Sequence, residues 1–69
     1  MPGTYKVIRL VGTSPKGFSE ATQVAIDEAA KTVKGLAWFE LKETRGRIDD
    51  GRVVEYQATV DVGFKVIHE

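Results

Sequence analysis

The stretch IDDGRV at residues 48–53 decides the fold of this 69-residue chain, because it carries the dipeptide Asp50-Gly51. Asp-Gly is typical of a two-residue type I′ turn, in which both central residues take a positive φ and the flanking strands form a β-hairpin. We therefore predict one long hairpin that occupies the C-terminal half of the chain. With these two residues as the loop, Asp49 faces Arg52, and counting outward fixes every other cross-strand pair.

This register agrees with the alternation of apolar and polar residues on both strands. From Val54 to Val66 the last strand alternates between apolar residues on one face and polar residues on the other. A shift by one residue would mix apolar with charged side chains across the hairpin. The predicted pairs are Trp38 with Gly63, Phe39 with Val62, Glu40 with Asp61, Leu41 with Val60, Lys42 with Thr59, Thr44 with Gln57 and Arg45 with Tyr56.

The only tryptophan of the chain, Trp38, lies on the charged side of its strand. A tryptophan on such a face indicates packing at a subunit interface, where this residue is enriched. The alternative is a stacking platform for a planar ligand, since an indole prefers offset aromatic stacking. By the pleat of the strand, the two predicted faces consist of Ala37, Phe39 and Leu41 on one side and Leu36, Trp38, Glu40 and Lys42 on the other.

Gln57 is the candidate companion of Trp38 at such a platform. It is uncharged, lies on the same outward face and can both donate and accept hydrogen bonds. In the predicted register it faces Thr44, six residues along the strand from Trp38. At about 3.3 Å per residue the two side chains are roughly 20 Å apart. If they form one site, two subunits make it.

The N-terminal half predicts a strand and a helix, so the fold class is α+β in the order β-α-β-β. Residues 4–11 are apolar on both faces, which predicts a strand covered by the helix on one face and by another subunit on the other. Ser14 before Pro15 is typical of an N-cap and first helical turn, and Gly35 of the residue after a helix, so we predict the helix over residues 15–34. Its predicted apolar stripe consists of Phe18, Ala21, Thr22, Ala25, Ile26, Ala29 and Val33.

These elements predict a three-stranded antiparallel sheet wrapped around one helix, in a single domain over residues 1–69. A domain of this size has a marginal core, and no cysteine is present to supply disulfides, so we expect self-association.

The ten basic and ten acidic residues balance, which argues against a nucleic-acid partner. No apolar run is long enough to cross a bilayer, and we expect a soluble, cytoplasmic protein without a membrane partner.

Patterns for catalysis or metal binding are weak. His68 is the only histidine and is expected to be a solvated tail residue. Ser14 and Ser19 have no histidine nearby in sequence, while Asp49 and Asp50 lie in a turn that favours aspartate for local hydrogen bonds. We therefore expect no catalytic residue, no metal site and no enzymatic activity.

The short motifs LVGTSPKG, WFE, RG, EYQ and VGF occur in this order along the chain. This ordered set resembles the dodecins, a family of small flavin-binding proteins, and the resemblance covers essentially the whole chain. It implies that the β-α-β-β subunits assemble into hollow dodecamers. It also implies that each two-fold pocket holds a pair of oxidised flavins between two symmetry-related tryptophans, for storage and for protection from flavin photochemistry.

The resemblance also implies the roles of individual residues. Trp38 matches the stacking tryptophan, Gln57 the glutamine that hydrogen-bonds the isoalloxazine edge, and Arg45 an arginine beside the pocket. Ala37 stands where an aspartate is common, so its backbone is the part expected to contact the ligand. FMN is the expected flavin, with riboflavin or FAD as alternatives.

Other activities of the family stay open as alternatives. Some members bind coenzyme A through basic residues, for which Lys6, Thr32 and Lys65 are the candidates here, although Glu28 stands where a basic residue would help. Dodecin-like proteins linked to calcium lack the tryptophan, so the motif WFE argues against that branch. A structural assembly without flavin, with Trp38 buried between subunits, and a flavin-dependent enzyme are the remaining hypotheses.

Overall fold

The computed structural model describes residues 3–66 and confirms the α+β fold in the order β-α-β-β. One antiparallel sheet contains the three strands in the order β1-β3-β2. The prediction for His68 lies outside the described residues. The elements are β1 (Tyr5–Ser14), α1 (Phe18–Ala30), β2 (Leu36–Asp49) and β3 (Arg52–Lys65).

The predicted hairpin turn is confirmed. Asp50 and Gly51 have φ values of 53° and 73°, as a type I′ turn requires. Asp49 pairs with Arg52 at the ends of the two strands. The hairpin extends well past the helix, and the molecule measures 54 × 20 × 13 Å along its principal axes.

The predicted register holds in the part of the hairpin nearest the helix. There the pairs Trp38 with Gly63, Phe39 with Val62, Glu40 with Asp61 and Leu41 with Val60 are confirmed. One prediction at this end is wrong. An irregularity at Ala37 separates Leu36 from Trp38, so Leu36 pairs with Phe64 and packs against the core instead of sharing the tryptophan's face.

Farther along the hairpin the register departs from the prediction because of β-bulges. One lies between Leu41 and Glu43 and leaves Lys42 unpaired, and another lies between Arg47 and Ile48. A bulge opposes two residues to one and shifts the register by one position. The first bulge adds Lys42 to β2 and the second adds Val54 to β3, so only the pairs between them are shifted and the predicted register holds on both sides. The pairs predicted for Lys42, Thr44 and Arg45 are therefore wrong: Glu43 faces Thr59, Thr44 faces Ala58 and Arg45 faces Gln57.

The core forms where small residues let the helix approach the sheet closely. Ala21, Ala25 and Ala29 of the predicted stripe are buried, and the first two belong to the same core cluster as residues of β3. At Gly12 of β1 there is no room for a side chain, because a Cβ would collide with the backbone carbonyl of Ala21. The buried residues of β3 in this core are Ala58, Val60 and Val62.

The helix begins at Phe18 rather than at Pro15, because β1 continues past residue 11 to Ser14. Ser14 pairs with Tyr56 of β3, so it ends a strand instead of capping the helix. The residue before a proline is biased toward extended backbone, which suits this strand end. Gly17 is the N-cap residue, and no side-chain hydrogen bond caps the helix there.

The helix also ends earlier than predicted, at Ala30, and Lys31 is its C-cap. Gly35 has the left-handed φ of 81° that was expected of it. It nevertheless lies just before β2, where its carbonyl accepts a hydrogen bond of 3.1 Å from the backbone N–H of Lys65. The predicted role of Gly35 as the residue after the helix is therefore wrong.

Candidate ligand-binding site

The outer face, defined as the side of the sheet turned away from α1, carries the three main candidate residues. Trp38 lies there opposite Gly63, and Gln57 lies there opposite Arg45. Directly paired residues of an antiparallel sheet share a face. Because Arg45 pairs with Gln57 and not with Tyr56, the bulge at Lys42 places Arg45 on this outer face.

Trp38 rests on the backbone of Gly63. A Cβ at Gly63 would lie against the ring atoms Cδ2, Cε2 and Cζ2 of the indole, too close for any side chain. These three atoms belong to the fused part of the ring system, so the ring covers the glycine. The Trp38 residue remains 44% exposed in the isolated chain. Glycine thus supports the indole from beneath and leaves ring surface open to a planar partner.

Gln57 is half-buried and held by a neighbour on its own strand. Its Nε2 donates a hydrogen bond of 2.9 Å to Oε1 of Glu55. Glu55 in turn lies across from Arg47, with 3.7 Å between Arg47 Nε and Glu55 Oε1. An amide held in this way offers a donor and an acceptor to the edge of a heterocycle.

The candidate residues form two separate groups within one chain. Ala37 and Trp38 lie together and line a cavity of about 200 Å³ beside α1. Arg45 and Gln57 lie together farther along the hairpin. Gly63, the partner of Trp38, is six residues from Gln57 along β3, which corresponds to roughly 20 Å. The structure therefore does not bring Trp38 and Gln57 together inside a single chain.

An ion pair that the sequence did not reveal lies between the two groups. Arg9 donates two hydrogen bonds to the carboxylate of Asp61, of 2.6 and 3.1 Å. These bonds hold the pKa of Asp61 below its usual value and raise the pKa of Arg9. Lys42 lies 3.7 Å from Glu40, and its charge also contributes to the lowered pKa of Asp61. The pairing of Arg9 with Asp61 depends on the register of β1 against β3, which the hairpin turn does not fix.

The residues considered for coenzyme A do come together, at the opposite end of the sheet from the hairpin turn. Lys6, Thr32 and Lys65 line a cavity of about 660 Å³, and Lys34 lines it as well. Phe64 contributes an aromatic wall. This cavity combines several cationic side chains with apolar surface.

Membrane spans and clustered metal ligands were also searched for in residues 3–66. No helix in this part of the chain is long and apolar enough to cross a membrane. Over the same residues, no three side chains of histidine, cysteine, aspartate or glutamate come together as a metal-binding group would require.

Comparison with known proteins identifies the family. The dodecin family model matches residues 4–67, nearly the whole chain. A curated dodecin from Thermus thermophilus is 47% identical over 66 residues, which are 96% of each chain. The chain therefore belongs to the dodecin family, which is known for dodecameric assembly.

Solved structures of relatives share the complete fold. A protein from Thermus thermophilus matches with a TM-score of 0.93 and 44% identity, covering 99% of this chain and all of that one. A dodecin from Streptomyces coelicolor gives a TM-score of 0.93 and 39% identity, with coverage of 97% and 96%. The calcium dodecin of Mycobacterium tuberculosis is more distant, at 29% identity and a TM-score of 0.81, with coverage of 93% and 91%.

Proposed function

We propose that this protein binds and stores oxidised flavin, with FMN as the preferred form. The observation that carries the proposal is Trp38, whose ring lies over Gly63 and is still 44% exposed. An aromatic ring that is supported on one side and open on the other fits a flat, electron-poor ring system such as isoalloxazine. Gln57 and Arg45 on the same face would supply hydrogen bonds and positive charge to the flavin edge and phosphate.

We also propose that a second subunit completes the site. Trp38 and Gln57 are roughly 20 Å apart along the sheet, which is too far for both to hold one flavin ring within a chain. A two-fold arrangement brings the tryptophan group of one chain beside the glutamine group of its partner. In a hollow dodecamer every pocket would then hold a pair of flavins between two tryptophans.

Exposed apolar residues support this self-assembly. Phe39 and Leu41 face the helix side of the sheet, but α1 covers mainly β1 and β3 and leaves these residues 52% and 44% exposed. On the outer face of β1, Val7 and Val11 are each 49% exposed. A small monomer rarely exposes so many large apolar side chains together, and burial between subunits removes them from water.

Photoprotection follows from the same stacking. An indole in contact with a photoexcited flavin can donate an electron to it and receive the electron back, so that the excitation is lost without net chemistry. Such a site turns over no substrate, and we propose that the protein is not an enzyme. The storage of flavin between tryptophans would keep its ring away from light-driven side reactions.

Coenzyme A, or another phosphorylated nucleotide, is a second candidate ligand. The supporting observation is the cavity lined by Lys6, Lys34, Lys65 and Thr32, where three cations surround a space with an aromatic wall. Ammonium groups attract phosphates, and aromatic surface suits an adenine ring. The opposing feature is Glu28, a carboxylate on the exposed side of α1.

Two further alternatives receive less support. A calcium-binding role is suggested by the Mycobacterium tuberculosis relative, but calcium prefers six to eight oxygen ligands and residues 3–66 contain no cluster of acidic side chains. A purely structural assembly would bury Trp38 against protein. An outward indole with open ring surface is compatible with that role. The presence or absence of bound flavin distinguishes a structural assembly from a flavin-storage protein.

The absorption spectrum of the purified protein tests the proposal. After incubation with FMN and removal of free ligand, we expect bound flavin absorption near the visible maximum of oxidised flavin, and release of fluorescent FMN on denaturation. Added calcium should leave this spectrum unchanged. A protein that retains no flavin under these conditions would favour the structural assembly.

A further inference from the structure

Glu55 lies beside the Gln57 amide and bonds to it. The two residues are two positions apart on β3, so both side chains point to the outer face. The Nε2 group of Gln57 donates to Oε1 of Glu55 at 2.9 Å. Both residues are half-buried, which restricts the alternatives that solvent would otherwise provide.

The chemistry of the carboxylate makes this orientation compulsory. An ionised carboxylate can only accept hydrogen bonds, so the amide must turn its NH₂ group toward Glu55 and its carbonyl oxygen away. Arg47 lies 3.7 Å from the same carboxylate oxygen, so the carboxylate also faces a positive charge. The carboxylate therefore holds the amide through a charge-assisted hydrogen bond, which is stronger than one between neutral groups.

One donor and one acceptor of Gln57 remain for a ligand. In the part of the chain that the structure describes, the carbonyl oxygen of Gln57 has no hydrogen-bond partner, and one of the two N–H groups is used by Glu55. The other N–H and the carbonyl oxygen form an edge with a fixed direction. An imide edge, in which an N–H stands beside a carbonyl group, matches this edge.

We propose that Glu55 is a positioning residue that orders Gln57 in advance for the imide edge of a flavin. The inference rests on the proposed flavin site and names a determinant of its selectivity. A ligand that bonds Gln57 gains from the ordering, because no free energy is spent on fixing a long side chain during binding. A ligand that cannot donate to the Gln57 oxygen can use only the remaining N–H, and it gains less.

The test compares FMN with 3-methyl-FMN, in which a methyl group replaces the hydrogen on the imide nitrogen. Both affinities are measured for the wild type and for Glu55→Ala. FMN should bind about two- to tenfold more weakly to Glu55→Ala, the cost of leaving one such side chain unordered. The affinity for 3-methyl-FMN should fall by less, because this flavin can accept from the Gln57 N–H but cannot donate to the Gln57 oxygen, so the preference for FMN should shrink. Any steric effect of the methyl group is common to both proteins and cancels in this comparison.

Two more variants make the result specific. Glu55→Gln keeps the size of the side chain but can present either oxygen or nitrogen, so the preference for FMN should fall between those of the wild type and Glu55→Ala. Glu28→Gln removes a carboxylate from the exposed side of the helix and should leave the preference unchanged.

The outcomes separate this inference from the proposed function. If the wild type binds FMN and Glu55→Ala keeps the full preference over 3-methyl-FMN, the role of Glu55 is refuted while flavin storage stands. If the wild type binds both flavins equally, Gln57 does not accept from the imide and the inference also fails. If the wild type binds neither flavin, the proposed function and the inference fail together.

Discussion

At the scale of single residues, the candidate site depends on Gly63 as much as on Trp38. The sequence predicted this pair by counting from the turn, and the count holds at Trp38 because the bulges at Lys42 and Val54 lie on opposite strands and cancel. The indole occupies the space that a side chain at position 63 would need. Glycine is therefore required at position 63 because it leaves room for the Trp38 ring, and not because of its backbone conformation.

We expect Gly63→Ala to displace the Trp38 ring. The added methyl group would meet the fused atoms of the indole, and overpacking of this kind typically costs about 1–3 kcal/mol. The tryptophan emission should shift and the denaturation midpoint should fall. Gly3→Ala is the control, since a Cβ there meets only the flexible end of Lys65 at 3.7 Å. Equal effects from both substitutions would contradict the account.

The ion pair between Arg9 and Asp61 gives the outer face a predictable response to acid. Because the hydrogen bonds from Arg9 lower the pKa of Asp61 in the folded state, their stabilisation is fully present above the usual carboxyl value of about 3.9 and is lost as pH falls through the lower, folded value. Asp61→Asn should therefore be less stable than the wild type at pH 7. The effect should be small, since the Arg9 side chain is 61% exposed.

Denaturation midpoints at neutral and acidic pH check this prediction. The difference between wild type and Asp61→Asn should shrink as pH falls below about 4, and it should disappear once pH is below the lowered, folded pKa of Asp61, where the carboxyl is protonated in both states. Glu28→Gln, which also removes one carboxylate from an exposed ion pair, controls for net charge. A difference that persists unchanged into acid would show that charge pairing is not its source.

At the scale of elements, the turn and the order of strands and helix were predictable, but the bulges were not. Alternation locates a register only where the two faces differ in polarity. From Lys42 to Arg47 every residue except Gly46 is polar. The extra residue of a bulge therefore does not disturb any alternation of apolar and polar residues in this segment. The bulge at Lys42 nevertheless decides the site, because it turns Arg45 to the outer face beside Gln57.

The start of the helix could not be predicted, for a different reason. The SP dipeptide at residues 14 and 15 fits a helix start, and it equally fits a strand end before a turn. Pairing with β3 continues to Ser14, so this dipeptide ends the strand. That partner lies far away in the sequence, so local signals could not show it. The hydroxyl of Ser14 still supports the helix, because it donates a hydrogen bond of 2.6 Å to Glu20 in the first turn.

The hairpin tip should be a contact between subunits. Ile48 and Val53 pair directly at the tip and are 69% and 56% exposed in the isolated chain. If another subunit covers them, Ile48→Asp would bury a charge and should reduce the particle to smaller species, as measured by light scattering. Ser19→Asp, which adds the same charge in the first turn of α1, should leave the particle intact. Particles of unchanged mass for Ile48→Asp would exclude the tip from the interface.

At the scale of the whole molecule, the chain has more apolar surface than it can cover. The helix buries small residues against β1 and β3, while β2 has only Leu36 partly buried among its residues. The sequence indicated this shortage through the small size of the chain and the apolar outer face of β1. It could not show which surfaces meet, because contacts between chains leave no periodic signal within one chain. We expect the assembled particle, of about twelve chains as in its family, to cover these surfaces and to complete the flavin pocket.

The most direct test of the central claim is a titration of FMN with the assembled protein while flavin fluorescence is recorded. The account predicts that emission falls steeply and levels off near one flavin per chain. Trp38→Ala should abolish most of this quenching, whereas Trp38→Phe should retain stacking but quench less, because benzene rings donate electrons poorly. Full quenching by Trp38→Ala, or unchanged emission with the wild type, would contradict the assignment of Trp38 as the surface on which flavin stacks.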